Sequence, residues 1–158
     1  MKNELLEALF AEHYHGALLY ALSLTKDKAT AEDLVSNAFF KALRRPDGEI
    51  ASFKSWLLTV VRREYLSSLR RRKFEGEMPE QAEDSEALLE TIIKDEEYRA
   101  LYHAISLLPE SYRELITLFY FENLSVKDMA RVTKKSESHV KTALCRARMK
   151  LKELLEQP

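Results

Sequence analysis

Apolar positions recur at helical spacing along most of the chain. Leu5, Leu6, Leu9 and Phe10, then Tyr14, Ala17, Leu18, Ala21 and Leu22, fall on one face and predict a first helix. Thr30 reads as the N-cap of a second, with Asp33 as its capping-box partner. Its apolar stripe is Leu34, Val35, Ala38, Phe39, Ala42 and Leu43. Arg45-Pro46-Asp47-Gly48 breaks the pattern and opens a loop that runs to Ser52. Ser52 caps a third helix, whose core stripe is Phe53, Trp56, Leu57, Val60 and Val61, drifting to Tyr65 and Leu69.

The helical pattern resumes at Leu101, Tyr102, Ile105 and Leu108 and stops before Pro109. Pro109 suits a helix start, and Leu115, Ile116, Leu118 and Phe119 continue that helix to Asn123, a left-handed stop. Ser125 opens a short helix through Ala130 and Val132. Thr133-Lys134-Lys135 forms a turn, and Ser136 caps a last helix that buries Val140, Leu144, Ala147, Leu151 and Leu154. With only three Gly and four Pro, and no alternating pattern, the chain predicts an all-α fold.

Charge divides this helical chain into three parts. Residues 1–73 hold 13 Lys+Arg and 9 Asp+Glu, residues 74–97 hold 1 and 10, and residues 98–158 hold 11 and 7. Two mildly basic helical blocks, 1–73 and 98–158, therefore flank an acidic stretch at 74–97. Gly76, Pro79 and the polar run from Glu77 to Glu86 give that stretch the composition of a linker, with one helical segment at Ala87–Lys94. About 20 residues of coil average roughly 25 Å end to end, and like charges extend them.

Several chemistries are excluded. A single cysteine, Cys145, rules out a disulfide framework and a cysteine-based metal site. No apolar run reaches the roughly 20 residues that span a bilayer. Met1-Lys2-Asn3-Glu4 does not open a signal peptide, so the chain predicts a soluble cytoplasmic protein without membrane insertion. His13 and His15, two apart on a helix, face away from each other and share no metal. His103 reads as a surface or boundary residue, Cys145 as a half-buried thiol, and Tyr112 and Tyr120 as core. No carboxylate cluster or activated nucleophile suggests an enzyme or a cofactor.

Three polar features remain. Asp33, Asn37, Phe40 and Arg44 form a stripe opposite the core of the second helix, and Lys41 lies beside it. An aromatic on such a stripe reads either as one exposed apolar residue or as a docking face. The third helix ends in Arg70-Arg71-Arg72-Lys73 and carries Arg62, Arg63 and Trp56, which reads as a solvated face or as a nucleic-acid groove. From Ser125 to Leu144 the chain has the size of a helix-turn-helix. Its second helix would present Glu137, Ser138, Lys141, Thr142 and Arg146 to a major groove, with Ser136 and His139 at the edge. Lys127, Arg131, Lys134 and Lys135 are placed to meet phosphates.

The two blocks together resemble the extracytoplasmic function (ECF) sigma factors. The first block carries Ala31-Glu32-Asp33-Leu34-Val35, Ala38-Phe39-Phe40-Lys41-Ala42-Leu43 and Phe53-Lys54-Ser55-Trp56-Leu57-Leu58-Thr59-Val60-Val61-Arg62. The second carries Leu107-Leu108-Pro109, Tyr112-Arg113-Glu114, Phe119-Tyr120-Phe121-Glu122-Asn123-Leu124-Ser125, Asp128-Met129-Ala130, Val140-Lys141 and Arg146-Ala147-Arg148. The resemblance implies that residues 1–73 dock on core RNA polymerase through Asp33, Asn37, Phe40, Lys41 and Arg44. It implies that Asp47, Gly48, Ser52, Lys54, Ser55, Trp56, Arg62 and Arg63 engage the minus-ten element. Residues 98–158 would read the minus-thirty-five element as duplex DNA, and the acidic linker would run through polymerase toward its cleft.

Polymerase would supply the metal and the catalysis, and an anti-sigma factor is an implied partner. The chain departs from the family pattern at Ser36-Asn37, Arg63 and Ser67, and its turn has Lys134-Lys135 where Gly-Ile is usual. That last change predicts a looser or more basic turn. A second reading, a free-standing helix-turn-helix regulator that binds duplex DNA without polymerase, gives the stripe and the Trp-Arg helix no evident use.

Overall fold

The computed structural model describes residues 3–45, 52–76 and 96–157. The described residues are helical apart from short turns and caps, in agreement with the all-α expectation. The chain divides into two compact units, Met1–Ala82 and Glu83–Pro158.

The first unit is a bundle of α1 (Asn3–Thr25), α2 (Lys28–Arg44) and α3 (Phe53–Phe74), each packed on the other two. Tyr20, Val35, Leu57, Leu58 and Val61 fill its centre. Leu58 joins this core beyond the predicted stripe, whereas Trp56 and Leu69 are only half-buried. Leu43 is exposed, because about 100° of rotation per residue carries it to the outer edge of α2. Leu5 and Phe10 are also exposed, although the Phe10 ring lies 4.7 Å from Tyr14 and 4.9 Å from Phe39.

The start of α2 differs from the expected Thr30 cap. Asp27 is the N-cap, and its carboxylate accepts from the Thr30 backbone N–H at 3.0 Å and from the Thr30 hydroxyl. Lys26, at φ 54°, ends α1 in the left-handed region and leaves one residue for the turn. The helix therefore begins two residues before the predicted cap, and Asp33 is left on the exposed face. Ser52 caps α3 as expected, with its hydroxyl accepting from the Ser55 N–H. At the other end, α3 runs one residue past Lys73 to Phe74, and Gly76 at φ 77° follows it.

The second unit holds α4 (Glu96–Ser106), α5 (Glu110–Ile116), α6 (Val126–Thr133) and α7 (Glu137–Glu156). The predicted helical segment at Ala87–Lys94 and most of the acidic linker lie outside the described residues. Helix α5 continues into a π-helical turn, Thr117–Phe121, that the sequence pattern does not predict. Ile105, Ile116, Leu118, Met129, Val132 and Val140 form the core, and the long α7 packs on α4, α5 and α6. Leu154 is half-buried near the end of α7.

A polar group is built into this core. Arg113 is buried and donates from Nη1 to the Leu108 carbonyl at 3.0 Å, which satisfies backbone just beyond α4. Glu122 and Tyr102 are buried with it. Burial pushes the Tyr102 hydroxyl well above its ordinary value; the Glu122 charge adds to that and the Arg113 charge opposes it.

The cap of α2 generates a test. The Thr30 hydroxyl and then the Thr30 backbone N–H hold the Asp27 carboxyl below its ordinary value of 3.8. A lowered folded-state pKa stabilises the protein above the unfolded value, and the contribution fades as the pH falls through the folded value. Asp27→Ala should cost about 1 kcal/mol at neutral pH. Urea unfolding should show this gap narrowing below pH 3.8. A gap of equal size at both pH values would show that Asp27 acts otherwise than as a charged cap.

Candidate nucleic-acid and polymerase interface

The helix-turn-helix forms from local signals. The Ser125 hydroxyl accepts from the Asp128 N–H at 3.1 Å and starts α6. Asn123, at φ 56°, makes the left-handed stop before it, as expected. Ser136 starts α7 by accepting from the His139 N–H at 3.0 Å. Between the helices Lys134 sits at φ 57°, ψ 41°, and the Lys135 N–H donates to the Ala130 carbonyl at 3.1 Å. The turn is thus closed despite lacking glycine, and the expected loosening is not seen. The strain falls on the Lys134 backbone instead. Ala130 and Val140 are buried at the crossing of the helices.

On α7 the buried residues are Val140, Leu144, Ala147 and Leu151. Glu137, Ser138, Lys141, Thr142 and Arg146 are exposed, as are Ser136 and His139 at the helix start. Lys141 and Arg146 make no ion pair among the described residues, so their donors are available. Lys127, Lys134 and Lys135 are exposed too, while Arg131 lies 3.9 Å from Asp128. Cys145 is exposed on α7, not half-buried, because it faces away from the stripe of Val140, Leu144 and Ala147.

In the first unit Asp33, Asn37, Phe40, Lys41 and Arg44 are all exposed on α2. Phe40 is 55% exposed, and the Arg44 guanidinium stacks 4.6 Å from its ring centre. Lys41 is tied to Glu64 of α3 by an ion pair, so its charge serves the bundle as well as the surface. Among the expected minus-ten residues, Asp47 and Gly48 lie outside the described residues. Ser52 is exposed at the cap; Lys54, Trp56 and Arg62 are half-buried, and Arg63 is exposed. The Ser55 hydroxyl is buried without a hydrogen-bond partner among the described residues. Arg45 stacks 5.0 Å from the Trp56 ring centre, and Trp56 lies 5.8 Å from Phe53.

Tyr120 was expected in the core and is 49% exposed. The π-helical turn rotates it outward, where its hydroxyl accepts from Arg148 Nε at 2.8 Å. Neither this pair nor the buried Arg113 and Glu122 follows from apolar periodicity. The run Phe119-Tyr120-Phe121 was the available signal, since one helix face cannot bury three consecutive aromatics.

Two family models match the chain: Sigma-70 region 2 over residues 9–75 and Sigma-70 region 4 over residues 98–151. The ECF RNA polymerase sigma factor SigM of Bacillus subtilis is 29% identical over 155 residues, covering 94% of each chain. ECF RNA polymerase sigma factor SigL of Mycobacterium tuberculosis is 30% identical over 154 residues, 89% of this chain and 82% of that one. The chain belongs to the ECF sigma factors. A solved structure of the sigma factor RpoE of Bartonella quintana, in complex with the anti-sigma factor NepR, has a TM-score of 0.71 to this chain. It is 28% identical and covers 95% of this chain and 98% of the other.

This ECF sigma factor directs RNA polymerase to promoters, which decides against the free-standing regulator. Sigma factors in general are not enzymes, and among the described residues no cluster of His, Cys, Asp or Glu could hold a metal ion. No described helix is long and apolar enough to cross a membrane.

The strained turn makes a prediction of its own. Lys134→Gly should stabilise the protein by about 1 kcal/mol, because glycine adopts positive φ without a Cβ clash. Lys134→Val should destabilise it by more than that amount. Thermal unfolding reads both, and equal melting temperatures for the three proteins would show that the turn stores no strain.

Proposed function

We propose that the two units divide the work of promoter recognition. Residues 1–73 dock on core RNA polymerase through Asp33, Asn37, Phe40, Lys41 and Arg44. Ser52, Lys54, Ser55, Trp56, Arg62 and Arg63, together with Asp47 and Gly48, engage the minus-ten element and hold the opened strand. Residues 98–158 read the minus-thirty-five element, and residues 74–97 link the two activities along polymerase. Within the second unit, Ser136, Glu137, Ser138, His139, Lys141, Thr142 and Arg146 face the bases, while Lys127, Arg131, Lys134 and Lys135 meet phosphates. The protein works in the cytoplasm, without a cofactor of its own.

One observation carries this reading. The N-terminal half of α7 presents an exposed polar face on a buried apolar stripe, with Lys141 and Arg146 on the exposed side. A helix held in this way enters a major groove, and Lys or Arg there recognises guanine edges at about 1–3 kcal/mol per good bidentate contact. Phe40 supports the docking role in the same manner. An exposed ring held by a cation, between Asn37 and Arg44, fits the apolar centre of a protein interface with a polar rim. The similar RpoE structure is a complex with an anti-sigma factor, and such a partner here would cover the same surfaces.

Gel filtration with core RNA polymerase tests the docking face. The wild-type chain should co-elute stoichiometrically, and Asn37→Ala with Phe40→Ala should reduce binding while helicity is unchanged. Undiminished binding by the double variant would move the docking face elsewhere. Promoter binding by the reconstituted holoenzyme tests the reading helix. Lys141→Ala or Arg146→Ala should relax the preference at particular base pairs of the minus-thirty-five element. A loss of equal size on every sequence would assign that side chain to phosphate.

A further inference from the structure

The side chain of Arg148 differs from the other exposed cations of α7 in being held by aromatic rings. Its guanidinium carbon lies 4.7 Å from the Phe119 ring centre and 5.6 Å from that of Tyr120. The two rings meet edge to face, with centres 5.0 Å apart. Nε donates to the Tyr120 hydroxyl at 2.8 Å, and Arg148 makes no other hydrogen bond or ion pair among the described residues. Four N–H donors therefore remain on a guanidinium whose rotation is restricted. Tyr120 accepts from Arg148 and keeps its own O–H to donate outward.

Position shows what this group could meet. Arg148 follows Lys141 by seven residues, close to two helical turns, so the two lie on one edge of α7 about 10 Å apart. The major groove is about 12 Å wide and 8.5 Å deep. With Lys141 inside the groove, a residue two turns further along has risen to its wall, where the sugar-phosphate strand runs. A planar fork of donors fixed there matches a phosphodiester and not a base edge.

We infer that Arg148 and Tyr120 form a preorganised phosphate clamp that grips the DNA strand beside the minus-thirty-five element. This inference rests on the proposed duplex-reading role of α7. Holding the guanidinium before DNA arrives lowers the entropy lost on contact. It also gives the π-helical turn a function, since that turn brings Tyr120 out to Arg148.

The test is promoter binding by the reconstituted holoenzyme across a series of salt concentrations. Arg148→Gln should weaken binding by the same factor on matched and altered minus-thirty-five sequences. It should also reduce the slope of log affinity against log salt by about 0.9, the release of one counterion. Arg148→Lys should keep the slope, because the charge remains, yet bind more weakly than wild type. Tyr120→Phe keeps the ring and should lower affinity with the slope unchanged. An unaltered slope and DNA affinity in Arg148→Gln, with only a lower melting temperature, would reduce the cluster to a structural brace and overturn the clamp. Weaker association with core polymerase, with DNA binding intact, would overturn it in favour of a protein contact. A wild-type holoenzyme that ignores the minus-thirty-five element would overturn the reading of α7 itself, and the clamp with it.

Discussion

The second unit depends on a charge placed where water cannot reach it. A buried guanidinium is costly unless its donors are satisfied and its charge is opposed. Arg113 offsets part of that cost: its Nη1 holds the Leu108 carbonyl beyond α4, and Glu122, buried in the same core, acts with it on the Tyr102 hydroxyl. Those partners come from opposite ends of the path through α5 and its π-helical turn. The arrangement fixes where α5 starts and where the chain leaves for α6. The Leu124 N–H, bonded to the Leu118 carbonyl at 3.1 Å, completes the exit. The helix-turn-helix is thus aimed by a polar core as well as by its own apolar crossing at Ala130 and Val140.

The first unit solves a similar problem with apolar surface. Phe10, Phe39, Phe53 and Trp56 form a chain of rings with neighbouring centres 4.9, 6.0 and 5.8 Å apart. These rings join all three helices of the bundle. The Lys41–Glu64 ion pair adds a surface tie between α2 and α3. An exposed pair contributes little alone, so the aromatic chain dominates the packing.

Much of this fold was legible because its helices announce their starts. Ser52, Ser125 and Ser136 each place a hydroxyl on the N–H three residues on, and each was read correctly as a cap. Asp27 does the same and was missed, because Thr30 and Asp33 also satisfy the capping-box pattern. The choice between them depends on Lys26 taking a left-handed conformation, which no local rule assigns to lysine. The exposed polar face of α7 was legible for the same reason that its core was, since both follow from one helical period. Tyr120 and Arg113 were not. A π-helical turn shifts the period within five residues, and the burial of an arginine is decided by partners distant in sequence. The loop residues Asp47 and Gly48 were assigned by resemblance alone.

Among the described residues, Lys26, Asn123 and Lys134 adopt left-handed backbone without being glycine. A Cβ at such a position strains the folded turn, and it also removes conformations from the unfolded chain that glycine would keep. The turn before α7 is nonetheless closed within the unit, by the Lys135 N–H on the Ala130 carbonyl. Much of the ordering that aims the recognition helix is complete when the unit folds, and little of it is left to be supplied by the energy of meeting DNA.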